Sequence, residues 1–185
     1  MDERARAAQH PPSTLVVVYS YHHHNTEKVA TAMARVLDAP VRTPLQVQPA
    51  ELQGYDLVGL GSGIYFHRLH PGLLALADKL VPVTGGRAFL FSTMGLPLAG
   101  ALMRAYARHC HAPLRERLQS RGYTVLDEFT CIGHDTNGLL RFCGGLNQGR
   151  PSAGDLHRAE QFARALRRKA DAHANALDLT GLRDL

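Results

Sequence analysis

The sequence has 185 residues, of which 45% are hydrophobic and 20% charged, a composition typical of one globular domain and not of a disordered chain. Lys and Arg exceed Asp and Glu by 21 to 16, but the excess is spread along the chain, which does not favour nucleic-acid binding. The chain has no apolar run long enough to predict a membrane span and no hydrophobic stretch near its polar start, so we expect a cytoplasmic protein.

The first half of the chain alternates predicted strands with predicted helices. The short apolar run Thr14 to Tyr19 predicts a strand, and Thr26 to Leu37, with apolar residues at helical spacing, predicts the helix that follows. Pro40 to Thr43 predicts a weak second strand, and Asp56 to Leu60 predicts a third. A helix is then expected over Pro71 to Leu80.

The second half continues this alternation with a central strand, two helices, a fifth strand and a long amphipathic helix. These are predicted at Arg87 to Phe91, Leu98 to His109, Pro113 to Ser120, Gly122 to Cys131 and Asp155 to His173. Such an order builds an α/β domain with a parallel sheet covered on both faces. We expect that domain over residues 14–174, with a disordered extension at 1–13 and a tail at 175–185.

Small polar residues directly follow three of the predicted strands, at Ser20 to Thr26, Gly61 to Tyr65 and Ser92 to Gly95. Because the carboxyl ends of parallel strands meet at one edge, these segments are expected to form a ligand site there. The first segment also opens a helix, and a helix N-terminus offers free N–H groups and a positive dipole end to a phosphate. The segment Ser20 to Thr26 contains no Lys or Arg, so neutral donors and the dipole would hold the phosphate.

At these segments the chain resembles the flavodoxin family. VVVYSYHHHNTEKVATAMARVL is similar to the flavodoxin signature, and DLVGLGSGIY, FLFSTMG and TCIGHDTNGLLRFCGGLNQGRPSAGDLHRAEQFA resemble small prokaryotic members of that family. Together these stretches cover most of residues 14–169. The resemblance implies a three-layer, doubly wound, five-stranded parallel sheet of order 2-1-3-4-5 and non-covalently bound flavin mononucleotide (FMN).

The resemblance also implies which residues bind the cofactor. The phosphate would be held by Ser20, Tyr21, His22, His23, His24, Asn25 and Thr26, and the ring would be flanked by Ser62, Gly63, Ile64, Tyr65, Phe66, Ser92, Thr93, Met94 and Gly95. His24 stands where many flavodoxins have Gly, at a position that needs a positive φ. The chain has no Trp, the ring-stacking residue of many flavodoxins, so Tyr65 and Phe66 are the candidates for that role.

Several of these residues have other interpretations. Gly59 to Ile64 resembles a dinucleotide-binding turn, but its last position is not Gly or Ala and it does not follow the first strand, which disfavours NAD binding. His22 to His24 could ligate a metal, although adjacent residues rarely aim at one centre, and we predict no metal site. Cys131 and Cys143 could form a redox pair, but packing as small apolar side chains is favoured.

The segment Ile132 to Ser152 is rich in glycine and has neither a helix nor a strand pattern. It leaves the sheet at the same edge as the polar segments, so we hypothesise that it forms a lid or a partner surface. It contains His134 and Asp135, which resemble an acid–base pair but would point apart on extended backbone.

The favoured prediction is an electron carrier that shuttles electrons between redox proteins, because bound flavin supplies the chemistry. The positive charge favours acidic redox partners, and a monomer or weak homodimer is expected. An FMN-dependent NAD(P)H or quinone oxidoreductase is the alternative, and it needs a pocket over the ring, with His67, His70, His134 and Arg141 as candidate lining residues. A non-catalytic flavodoxin-like interaction module is the second alternative, if His24 prevents phosphate binding.

Overall fold

The computed structural model describes residues 13–136 and 144–181. Its sheet has five parallel strands in the order β2-β1-β3-β4-β5, as predicted. The strands are β1 (Thr14–Tyr19), β2 (Val41–Arg42), β3 (Leu57–Gly63), β4 (Gly86–Met94) and β5 (Tyr123–Ile132).

Four α-helices cover the sheet within the described residues: α1 (Asn25–Leu37), α2 (Pro71–Asp78), α3 (Gly100–Ser120) and α4 (Ala153–Gly181). The apolar residues of α1 and α4 pack on one face of the sheet, and those of α2 and α3 pack on the other. The result is the predicted three-layer, doubly wound α/β architecture. None of the helices in the described part is both long and apolar enough to cross a bilayer.

The central strand β4 contributes to both halves of the core. Phe89 and Phe91 point towards α1 and α4, while Ala88 and Leu90 between them point towards α2 and α3. Glycines on β3 make room for the two rings: a Cβ at Gly59 would lie 2.2 Å from the Phe89 ring. Aromatic side chains bury large apolar areas, so placing glycines on β3 beside phenylalanines on β4 stabilises the fold.

The edge strand β5 contains a bulge that changes which side chains face each layer. Val125 pairs with Ala88 and Asp127 pairs with Phe89, so Leu126 is an extra residue between them. Before the bulge, Tyr123 and Val125 face α2 and α3. After it, Asp127 contacts α4 and Glu128 contacts α3. Without the bulge, the alternation of side chains along the strand would place each of these two residues on the other face of the sheet.

The prediction of two helices over Leu98 to His109 and Pro113 to Ser120 is wrong, because one helix, α3, spans both. Pro113 lies inside it without ending it. The buried stripe continues across the proline, and the Arg115 side chain donates a hydrogen bond to the Arg108 carbonyl at 2.9 Å. The stripe consists of Ala107, Cys110, His111, Leu114 and Leu118.

Strands β3 and β4 continue farther than predicted, through Gly63 and Met94. They extend because they pair with each other, Ser62 opposite Ser92 and Gly63 opposite Thr93. Two serines that were expected in loops therefore lie inside strands.

The last helix ends later than predicted. Helix α4 continues past His173 to Gly181. Ser13, assigned to the disordered extension, donates hydrogen bonds from its N–H and its hydroxyl to Asp56 Oδ2 at 2.9 and 2.8 Å. Residues 1–12 and 182–185 lie outside the described residues.

Candidate functional site

The turn between β1 and α1 presents backbone amides at the carboxyl edge of the sheet. His24 is the N-cap of α1, with φ 53° and ψ 31°, which confirms the positive φ expected there. Its carbonyl accepts the first helical hydrogen bond, from the Lys28 N–H at 3.0 Å. The amides of residues 25–27 precede that bond and have no intrahelical acceptor, so they suit an anion.

Two consecutive histidines in this turn adopt the left-handed conformation. His23 also has φ 53°, and each such residue costs about 1–2 kcal/mol. Side-chain contacts offset part of this strain: His24 Nδ1 lies 2.6 Å from Glu27 Oε2, and His23 Nε2 lies 2.7 Å from Thr136 Oγ1. Partial burial lowers the pKa of His23, and the neighbouring His134 lowers it further.

Behind the turn, three polar side chains fill the space between α1 and the sheet. The hydroxyls of Thr26 and Thr93 lie 2.8 Å apart and are buried. Asn25 Nδ2 donates to the His134 carbonyl at 2.7 Å, whereas Asn25 Oδ1 is buried and has no hydrogen-bond partner among the described residues. A buried acceptor without a partner is uncommon in a folded protein and indicates a place where a ligand donor can bind.

The segments that follow β1, β3, β4 and β5 enclose a cavity of about 40 Å³. Its lining includes nine of the predicted site residues: His22, Asn25, Thr26, Gly63, Ile64, Tyr65, Thr93, Met94 and Gly95. It also includes Gly133, His134 and Asp135, which were not among the predicted cofactor residues. Their position at the carboxyl end of the fifth strand was the signal that could have added them.

The other predicted site residues do not line this cavity. Ser20, Tyr21, His23 and His24 belong to the turn around it. Ser62 and Ser92 lie inside strands and are fully buried. The Ser62 hydroxyl donates to the Gly63 carbonyl at 2.8 Å, and the Ser92 hydroxyl contacts Thr130 and His111.

The two aromatic candidates differ in their placement. Tyr65 lines the cavity and stacks on Tyr21 at 5.3 Å between ring centroids, and burial raises its pKa to about 12. Phe66 is 92% exposed and points away into solvent. It forms a two-residue turn with His67, closed by backbone hydrogen bonds between Tyr65 and Arg68, and both turn residues have positive φ, 48° and 62°. Hairpins of this type usually place Gly or Asn there.

His67 and His70, candidates for a substrate pocket, have structural contacts instead. His70 Nδ1 accepts the Gly72 N–H at 3.0 Å and caps α2. Its ring stacks on Tyr19 at 3.4 Å between centroids, and burial lowers its pKa, which favours the neutral ring that can accept a hydrogen bond. His67 Nδ1 lies 3.1 Å from the Tyr106 hydroxyl. Arg141 lies outside the described residues.

The histidine run and the cysteines do not form a shared centre in the described part of the chain. A search of these residues finds no group of three or more His, Cys, Asp or Glu side chains able to hold a metal. Cys131 is fully buried against the apolar residues of α4, and burial raises its pKa to about 12. Cys143 and the centre of the hypothesised lid, residues 137–143, lie outside the described residues.

Solved structures with the same architecture include flavodoxins. Oxidised Flavodoxin 2 from Bacillus cereus superimposes with a TM-score of 0.63 at 19% identity, over 85% of this chain and 99% of that one. A Fusobacterium nucleatum flavodoxin bound to FMN gives a TM-score of 0.56 at 12% identity, over 84% and 98% of the two chains. The protein therefore has the flavodoxin-like fold.

A closer relative is known from its sequence. The chain is 38% identical over 152 residues to the uncharacterized protein MJ0298 of Methanocaldococcus jannaschii, covering 82% of this chain and 96% of that protein. It belongs to the same family as this archaeal protein. No family model matches the chain.

The residues of the site suit the chemical groups of FMN. The amides at the start of α1 suit a phosphate, and Asn25 Oδ1 can accept from a ribityl hydroxyl. The stacked rings of Tyr21 and Tyr65 offer aromatic surface to a flavin ring. A cavity of about 40 Å³ is smaller than such a ring, so entry requires Tyr65 or the segment after β5 to shift.

Proposed function

We propose that the protein binds FMN without a covalent bond at the carboxyl edge of its sheet and carries electrons between redox proteins. Two features of the same turn support this most directly: the amides at the start of α1 have no intrahelical acceptor, and the buried Oδ1 of Asn25 has no hydrogen-bond partner among the described residues. Bound FMN would supply one- and two-electron redox chemistry. The chain's own task is to bind it and to control access to it.

Different residues of the site would bind different parts of FMN. The amides of residues 25–27 and the Ser20 hydroxyl would hold the phosphate, and Asn25 Oδ1 would accept from the ribityl chain. Tyr65, Met94 and Gly95 would border the ring. The Thr26–Thr93 hydrogen bond holds the start of α1 against β4 and so keeps the phosphate donors in place.

A carrier is favoured over an enzyme because of the surroundings of the site. Around it, the 92% exposed Phe66 and the 51% exposed Tyr21 offer aromatic surface to a partner protein. Lys28 in the first turn of α1 and Arg68 directly after the Phe66–His67 turn are exposed, so an acidic redox partner is expected.

An FMN titration of the purified protein tests the binding. We expect saturable one-to-one quenching of flavin fluorescence, with affinity at least tenfold lower in the Asn25→Ala variant because the ribityl acceptor is lost. Thr31→Ala, on the exposed side of the same helix, is the control and should stay within twofold. A wild-type protein that stays colourless in excess FMN would contradict the proposal and favour the interaction module.

Stepwise anaerobic reduction of the loaded protein then separates the carrier from the enzyme. Two well-separated one-electron steps in the absorbance spectrum are expected for a carrier. A single two-electron step, together with steady NAD(P)H oxidation by the pure protein, would instead support the oxidoreductase.

A further inference from the structure

A second concave region lies away from the candidate FMN site, between α3 and the edge strand β5. It has a volume of about 420 Å³, which falls in the range of small-molecule sites. One wall is a stripe on α3 with a spacing of three or four residues, so its members share one helix face. They are Arg104, Arg108, His111 and Arg115.

The floor of this cleft is a fixed polar network. His111 is fully buried, and its two ring nitrogens lie 3.0 Å from Glu128 Oε2 and 2.9 Å from Ser92 Oγ. Arg115 Nε donates to the other oxygen of Glu128 at 2.6 Å. The bulge at Leu126 makes this possible, because it turns Glu128 towards α3.

The acidic groups of the cleft already form ion pairs within the protein. Glu128 is neutralised by Arg115, and the carboxylate of Asp127 pairs with Lys169 on the opposite side of the sheet. Neither Arg104 nor Arg108 has a side-chain hydrogen bond or ion pair with any residue that the structure describes. The cleft therefore contains two unneutralised guanidinium groups.

The two arginines lie one helical turn apart. Like charges at this spacing repel each other by a few tenths of a kcal/mol, and an anion placed between them removes that cost. A guanidinium group also matches the geometry of a carboxylate or a phosphate with two parallel hydrogen bonds.

We propose that the cleft between α3 and β5 binds a small organic anion whose carboxylate or phosphate groups pair with Arg104 and Arg108. A small molecule fits better than an extended peptide, because the bulge in β5 interrupts the edge on which an added strand would pair. The site is separate from the proposed FMN site: Ser92 contacts its floor, while Thr93 faces the opposite side of β4. Binding in the cleft therefore does not require the proposed function.

Calorimetric titration of the full chain, in the presence of excess FMN, tests this site with citrate and inorganic pyrophosphate as probes. We expect one-to-one binding of at least one probe, and the preferred probe identifies the acidic group. The double variant R104Q/R108Q should bind at least tenfold more weakly. R164Q/R168Q removes the same charge from exposed positions of α4 and should stay within twofold.

Amide chemical shifts locate the probe. They should change along α3 and over residues 125–130 and not in the turn at residues 20–26. The proposal is overturned if neither probe saturates, if both double variants weaken binding equally, or if the shifts are confined to that turn. An acidic peptide that binds where both probes fail would also overturn it. FMN affinity of R104Q/R108Q, expected to be unchanged, is measured separately, so failure here leaves the FMN proposal standing.

Discussion

Two polar clusters on opposite faces of β4 differ in how well their groups are paired. On the α1 side, the Thr26–Thr93 pair lies beside Asn25, whose Oδ1 has no partner among the described residues. On the α3 side, both nitrogens of His111 and both oxygens of Glu128 have partners. Because a buried polar group without a partner costs free energy, the first cluster has the character of a binding site and the second that of a structural support.

The backbone shows the same contrast. Five residues with positive φ that are not glycine lie in the described loops at the carboxyl edge: His23, His24, Phe66, His67 and Asn147. The α3 side instead uses a bulge, which changes the register of β5 without placing a side chain in the left-handed region. Strained backbone of this kind is concentrated at functional sites, which supports the carboxyl edge as the place of function.

The largest expected loss of stability comes from disrupting the cluster of His111, Glu128 and Arg115 on the α3 side. Glu128→Ala removes the carboxylate and leaves His111 and Arg115 without their partner in a region where Glu128 is only 13% exposed. We expect the free energy of unfolding to fall by about 3 kcal/mol, because separating a buried ion pair strands the remaining charge. Urea unfolding followed by circular dichroism measures it.

The adjacent residue provides the control for this experiment. Asp127 pairs with Lys169 on the other side of the sheet, with both side chains 40–50% exposed. Asp127→Ala should cost less than about 1 kcal/mol, as is usual for surface ion pairs. Equal losses of unfolding free energy in the two variants would contradict the inference that the cluster on the α3 side stabilises the fold more than a surface ion pair does.

The contrast between the clusters was only partly predictable from the sequence. Apolar periodicity is a local property, so it predicted most of the strands and helices. The polar residues that follow the strands predicted the residues around the α1 turn, and the resemblance to flavodoxins implied the sheet order. Where a strand ends depends on its neighbour, so the burial of Ser62 and Ser92 was not visible. The bulge that turns Glu128 towards His111 follows from pairing with β4, and no local pattern at Leu126 indicated it.

The pH dependence of stability gives a second, smaller test. Burial alone would raise the pKa of Glu128, but its hydrogen bonds and charge interactions with His111 and Arg115 hold it below its ordinary value. Asp155 is held low in the same way against burial, by Arg150 and Ser152. A carboxyl whose pKa is lower in the folded state stabilises the fold above its unfolded pKa, and that contribution is lost as the pH falls through the folded value.

We therefore expect the free energy of unfolding to decline below about pH 5. Glu128→Gln should make this decline shallower by at most about 1.4 kcal/mol per pH unit, the effect of one proton, and leave the part due to Asp155. Urea midpoints measured from pH 3 to pH 7 provide the comparison. A slope identical to that of the wild type would show that Glu128 does not titrate at a lowered pKa.

The smallest effect is expected at the strained hairpin beside the candidate site. Replacing Phe66 by Asn and His67 by Gly supplies the residues that a turn with two positive φ values prefers. Left-handed strain of about 1–2 kcal/mol per residue is relieved, and the greater unfolded-state entropy of Gly offsets part of it. The double variant should be more stable by about 1 kcal/mol, measured by urea unfolding.

The same variant tests whether Phe66 takes part in the site. Phe66 is 92% exposed and does not border the cavity, so FMN affinity should stay within twofold after its removal, whereas loss of Tyr65 should weaken it. Phe66→Ala is the control for the ring, because it removes the aromatic surface and keeps a side chain in the left-handed turn. If the double variant gains no stability, the hairpin strain is compensated by contacts of Phe66 or His67. If FMN affinity falls in both variants, Phe66 folds over the flavin and belongs to the site, as the resemblance to flavodoxins implied.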